Sequence, residues 1–186
     1  MSTIDRRKAD VTIAAPSLRR RTLRRGWWAV KVRQFRAYVG AAVAPSERAE
    51  LASWLTSAQL ALFETMPAAD QRHGLDVVAT LRASGATDED LLLAGLLHDA
   101  GKGLTVGLWP RVAWSLGERY GPLVWRVAGV LPGFAAALDR MRDHAERSAE
   151  LAEQAGCSAR TVDLILHQAT PEDSDGAVLQ LADEAN

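Results

Sequence analysis

The sequence predicts an all-α fold, on three observations. Apolar residues recur at three- and four-residue spacing from Trp27 to the C-terminus, glycines and prolines fall between those segments, and no alternating run long enough for a strand is present. A chain of 186 residues that is 48% hydrophobic buries one substantial core and is short for two full domains. The expected organisation is a basic, disordered arm over residues 1–26 and a single helical domain over 27–186, with residues 67–186 at its centre.

Each element has a local reason. Residues 1–26 are polar and basic without hydrophobic period. Trp28, Val32, Phe35 and Val39 then share a helical face, with Lys31, Arg33 and Arg36 between them, in a basic amphipathic helix that ends before Pro45. Ser46 is a candidate cap for the next helix. Thr56 opens a short helix over residues 57–66, with Leu60 and Phe63 on one side and Pro67 at its end. Residues 69–82 place Leu75, Val78 and Leu81 on one face, carry His73 in the first turns and stop at the helix-ending Gly85.

Thr87 is the expected cap of the following helix, and Asp88, Glu89 and Asp90 suit its positive end. That helix runs through the leucine-rich stretch 91–97 to His98 and Asp99, and it is apolar enough to be buried on most sides. Gly101, Gly103 and Gly107 permit a sharp exit. Residues 108–138, with Trp109, Trp114, Trp125 and Phe134, fit two short helices around Gly121-Pro122. Residues 139–154 read as one charged helix carrying His144 and ending at Gly156. Ser158 caps the helix bearing His167, and a turn over 171–176 precedes a last helix, 177–185, with Asp183 on it.

Charge divides the chain. Eleven of the 22 Lys and Arg residues lie in the first 36 positions against two acids, so the remainder carries eleven bases against 21 acids, a net of −10. An acidic body suits a bound dication. The single cysteine, Cys157, cannot form an intramolecular disulfide, and there is no Cys-x-x-Cys pair, which fits a reducing cytoplasm. No apolar run is long enough to span a bilayer, and the N-terminus has no secretory h-region.

Four histidines, His73, His98, His144 and His167, fall one to each of four expected helices. Helices of a bundle can converge their imidazoles on one interior point, and the His98-Asp99 pair adds a carboxylate at a helix end. Any one of these histidines taken alone is ordinarily a core or surface residue. His144 in particular lies among Arg142, Asp143, Glu146 and Arg147, which read equally well as a solvated helix face.

The string Leu-Leu-His-Asp-Ala-Gly-Lys around His98 and Asp99, with His73 before it and His144, His167 and Asp183 after it, resembles the HD superfamily of metal-dependent phosphohydrolases. The resemblance covers about residues 70–186. It implies an HD-domain helical bundle with a metal site in the core. His73, His98 and Asp183 would hold one divalent ion, His144 and His167 a second, and Asp99 would bridge them; iron, manganese, zinc, nickel or magnesium fits such donors. His98 and Asp99 would serve the chemistry directly, and Lys102 would face the substrate phosphate.

The implied activity is hydrolysis of a phosphoester or phosphoanhydride in a nucleotide or related metabolite. A cyclic-dinucleotide substrate is disfavoured, because the Gly-Tyr-Pro signature of that HD group appears only with its first two residues reversed, at Tyr120-Gly121-Pro122. Two other classes stay open: a di-iron oxygenase of the HD type, and a non-catalytic metal- or nucleotide-binding regulatory module. The basic arm reads as a solvated tail, a contact with an anionic membrane or, least well, a nucleic-acid contact, since no nucleic-acid motif of defined spacing is present. The tryptophans of 109–125 read chiefly as a cover over the core, with an interfacial membrane surface as the alternative.

Overall fold

A computed structural model describes residues 40–186, which form ten α-helices and one 3-10 turn, with no strand among them. The arm over 1–26 and the amphipathic helix expected before Pro45 fall largely outside the described residues.

Local chemistry places most boundaries. Helix α1 (Pro45–Leu51) begins at a proline, whose missing N–H costs nothing in the first turn. Ser46 lies inside it, and Glu47 supplies the cap by accepting the Ala44 N–H at 2.8 Å. Helix α2 (Ser57–Thr65) has a reciprocal capping box, Thr56 Oγ1 accepting from the Gln59 N–H and Gln59 Oε1 from the Thr56 N–H. Helix α3 (Ala68–Ala83) ends at Gly85, whose φ of 94° lets the Ala86 N–H reach back to the Leu81 carbonyl at 3.0 Å. Helix α4 (Glu89–Leu97) is capped by Asp88, one residue after the expected Thr87, its carboxylate accepting the Leu91 N–H at 2.9 Å. A carboxylate there also meets the positive helix end, an advantage a threonine lacks.

Helix α4 is the centre of the core. Every residue from Leu91 to Leu97 is buried, and the helix packs against α3, α9 (Ala159–Leu166) and α10 (Ser174–Ala185). Phe63, Leu81, Leu96, Leu97, Ile165 and Leu179 are the largest apolar side chains sealed there, each contributing about 1.5–3 kcal/mol. Helices α3 and α4 meet closely because Gly74 has no side chain: a Cβ at that position would stand 2.5 Å from the Leu96 carbonyl oxygen. The helices carrying His73 and His98 are thereby brought together.

A second, smaller cluster lies in α5 (Leu108–Tyr120), α6 (Leu123–Ala128) and α7 (Phe134–Arg142), where Ala113, Ala128 and Leu138 pack with Trp114, Trp125 and Phe134. Trp114 and Trp125 stack at 5.0 Å, and the Trp125 indole N–H donates to the Trp114 carbonyl at 3.2 Å. The lobe is strapped to α3 by Arg111, which grips the buried Asp70 carboxylate with two bonds of 2.7 Å. Helices α5 and α6 are the two expected around Gly121-Pro122. Trp109, by contrast, is exposed.

The single helix expected over 139–154 is two, α7 and α8 (His144–Gln154), broken at Asp143 (φ −99°, ψ 13°). At the break the His144 ring Nδ1–H donates to the Met141 carbonyl at 2.7 Å, taking an acceptor that a continuous helix gives to a backbone N–H. Ser158 caps α9 as expected, through the Thr161 N–H at 3.1 Å. Helix α10 starts at Ser174, three residues before the expected Ala177, because Asp173 accepts the Gly176 N–H at 2.9 Å.

Candidate metal centre

His98 and Asp99 bring their side chains together because the chain leaves α4 between them. His98 keeps helical backbone angles (φ −55°, ψ −24°), Asp99 turns to φ −101°, ψ 2°, and Ala100–Lys102 tighten into the 3-10 turn. The two residues are only 1% and 2% exposed. The His98 Nδ1–H donates to the Gly95 carbonyl at 3.0 Å, which turns Nε2 toward Asp99 and Asp183. His98 Nε2 and Asp99 Oδ1 lie 3.6 Å apart, both buried and both without a hydrogen-bond partner. Leaving such groups unsatisfied costs about 1–3 kcal/mol each, and a cation between them would satisfy both.

Other donors surround this pair. His73, from α3, has its ring 5.2 Å from that of His98, edge to face, and its Nε2–H donates to Asp183 Oδ1 at 2.8 Å. Asp183, on α10, places the same oxygen 3.4 Å from His98 Nε2. His73, His98 and Asp99 each offer a ligand atom within 4.8 Å of the others. These are nitrogen and oxygen donors without thiolate, a set that suits manganese, iron, zinc or nickel.

On the opposite side, Gly101 seats the 3-10 turn on α8. A Cβ there would lie 2.4 Å from the His144 carbonyl oxygen, and the Gly101 N–H donates to the buried Ser148 hydroxyl at 2.8 Å. This contact brings His144 Nε2 to 3.7 Å from Asp99 Oδ1. The Lys102 ammonium donates to Asp99 Oδ2 at 2.5 Å, so it serves the carboxylate in this structure.

His167 stands apart. It follows the last residue of α9, its Nδ1–H donates to the Asp163 carbonyl at 3.1 Å, and its Nε2 lies 3.6 Å from Glu172 Oε1. Of the seven sequence candidates, His73, His98, Asp99, Lys102, His144 and Asp183 form one contact network, and His167 touches none of them in the described contacts. The next residue does reach α4: the Gln168 amide donates to the His98 carbonyl at 3.2 Å and the Ile165 carbonyl at 3.1 Å.

The electrostatics of the six are coupled. Burial alone would push the His98 imidazole down, but the Asp99 and Asp183 carboxylates outweigh it and hold the group up at about 9. Burial opposes ionisation of Asp99, and the charges of Lys102 and His98 reverse this, holding its carboxyl well below the usual range. Asp183 is lowered against its own burial by the hydrogen bond from His73 and by the neighbouring His98 imidazole. His144 moves the other way: burial and then the Lys102 charge depress it, so it is neutral at pH 7. A cation replacing the His98 proton would release that proton to solvent.

Ser148 and the Asp70–Arg111 pair were not evident as supports of the site. A signal for Ser148 was present, since it lies four residues after His144 and shares its helix face. Asp70 and Arg111 are 41 residues apart with no local pattern linking them. Arg72 and Asp76 pair with each other, and Arg72 also with Glu47. No protein-family model, curated protein or solved structure matches this chain.

Proposed function

We propose that this chain is an HD-superfamily phosphohydrolase, dependent on a divalent metal and acting on a nucleotide or a related phosphorylated metabolite. The observation that carries the reading is the facing pair of orphaned buried atoms, His98 Nε2 and Asp99 Oδ1, inside the set of residues that resembles the HD pattern. His73, His98, Asp99 and Asp183 would hold the cation. When bound, it would supply positive charge to a phosphoryl oxygen and acidify an attacking water.

The chain's own residues do the rest. His98 and Asp99 close the floor of the site, while His73, His144 and Asp183 are partly exposed and leave the approach for a substrate on their side. Neutral His144 offers Nε2 as a proton acceptor for the attacking water. Lys102 neutralises Asp99 in the free protein, and its ammonium becomes available to a phosphate oxygen once that carboxylate has another positive partner.

The geometry favours one tightly held cation. The second ion expected from the family resemblance needs His167 to exchange its contacts with Asp163 and Glu172 for a place beside Asp99. The same separation favours hydrolysis over di-iron oxygen chemistry, which requires both ions. The test is phosphate release from a panel of nucleotides under argon, with manganese supplied. Turnover that disappears in Asp99→Asn supports the hydrolase. Oxygen consumption by the iron-loaded protein without phosphate release would replace it with the oxygenase, and metal binding with neither activity would replace it with the regulatory module.

A further inference from the structure

We propose that the outer face of α6 and the adjoining turn is a docking surface for a bilayer of anionic phospholipid, independent of the metal centre. Leu123, Val127, Val130 and Leu131 follow one another at the i, i+4, i+7, i+8 spacing of a buried helix face. Here they are 67%, 66%, 84% and 52% exposed. The turn beyond α6 continues the helical path, with the Val130 N–H on the Val127 carbonyl and the Leu131 N–H on the Ala128 carbonyl. Trp125 and Ala128 of the same helix occupy the small internal cluster, so the stripe is what α6 has left over for another partner.

Charge identifies that partner. Apart from Arg111 and Asp70, which neutralise each other, residues 108–142 carry four arginines against Glu118 and Asp139, a net of +2, while the rest of 40–186 carries six bases against 18 acids, a net of −12. A cleft of about 480 Å³ beside the stripe is lined by Trp125, Val130, Ala135 and Leu138 together with Arg126 and the Arg142–Asp139 ion pair. Apolar side chains flanked by arginine and tryptophan match the boundary between acyl chains and anionic headgroups. A second copy of the chain would set like charges against each other, and nucleic acid would leave the apolar stripe in water.

The test uses the full chain with Val130→Cys labelled by a polarity-sensitive fluorophore in a Cys157→Ser background. Vesicles of phosphatidylglycerol and phosphatidylcholine are compared with phosphatidylcholine alone. The proposal expects a blue shift and quenching by lipid-borne spin labels on the anionic vesicles only. It also expects roughly tenfold weaker vesicle binding in Val127→Asp and in Arg126→Glu, with helix content unchanged. If the chain sediments with anionic vesicles while the fluorophore stays in water, binding belongs elsewhere, for example to the basic N-terminal residues, and the proposal fails. It fails equally if Val127→Asp leaves vesicle binding unchanged, or if that variant instead dissociates a dimer that binds no vesicles.

Discussion

The α4-centred core and the α5–α7 lobe are built from the same kinds of residue and treat them oppositely. Leucines of α4 are sealed on every side, whereas Leu123, Val127 and Val130 of the lobe face water. Composition does not separate the two; neighbours do. Helix α4 is enclosed by α3, α9 and α10, while α6 packs chiefly on α5 and α7 and, among the described residues, keeps one face uncovered. Only the enclosed region can hold unpaired polar atoms such as His98 Nε2 and Asp99 Oδ1, because tight surroundings prevent their relaxing onto solvent. The core therefore holds buried charge, and the lobe presents an exposed apolar face.

The largest expected effect breaks the core at its polar centre. Asp99→Ala removes the shared partner of Lys102, His98 and His144, and the metal-free protein should lose about 3–5 kcal/mol in urea denaturation. A loss below about 1 kcal/mol, the scale of an exposed pair, would mean that Asp99 is not the centre of the network. Next is the strap between the regions. Arg111→Ala leaves Asp70 buried and unpaired, and hydrogen exchange should accelerate through α5–α7 while α4 stays protected. Equal acceleration in both would show one cooperative unit.

The two regions can also be compared by truncation. Leu96→Ala should cost about 2–5 kcal/mol and Leu123→Ala under about 0.5 kcal/mol; similar costs would contradict the contrast in burial. The polar centre of the core also has a signature in pH. His98 is held at about 9 in the folded metal-free chain, above its unfolded value of about 6.5. Its contribution is thus complete below about pH 6.5 and lost as pH rises towards 9. The urea midpoint of chelator-treated protein should fall across that window, and fall less in His98→Gln; a midpoint that rises would reverse the assignment.

Much of this was legible in the sequence wherever the cause was local. The helix start at Thr56, the glycine stop at Gly85 and the Ser158 cap depend on residues within a few positions, and they were found at the expected places. The break at Asp143 was not legible, because a ring-to-carbonyl bond from His144 marks it and no glycine or proline stands there. The convergence of His73, His98 and Asp99 was legible only through an order of residue types that resembles a family pattern, whereas its geometric cause lies in Gly74 and Gly101, which let α3 and α8 approach α4 and the turn after it. His167 and Lys102 show the remaining gap. Spacing puts them on suitable elements, but Asp163, Glu172 and Asp99 decide where their nitrogens point.

The most direct test is the metal content of the full chain purified without oxygen, measured by elemental analysis beside His98→Gln and Asp99→Asn. The arrangement of His73, His98, Asp99 and Asp183 predicts one tightly held divalent cation per chain in the wild type, lost in both variants while their helix content is retained. A wild-type chain that holds no cation even when manganese, iron or zinc is supplied, or variants that hold as much as the wild type, would contradict a metal centre at the end of α4.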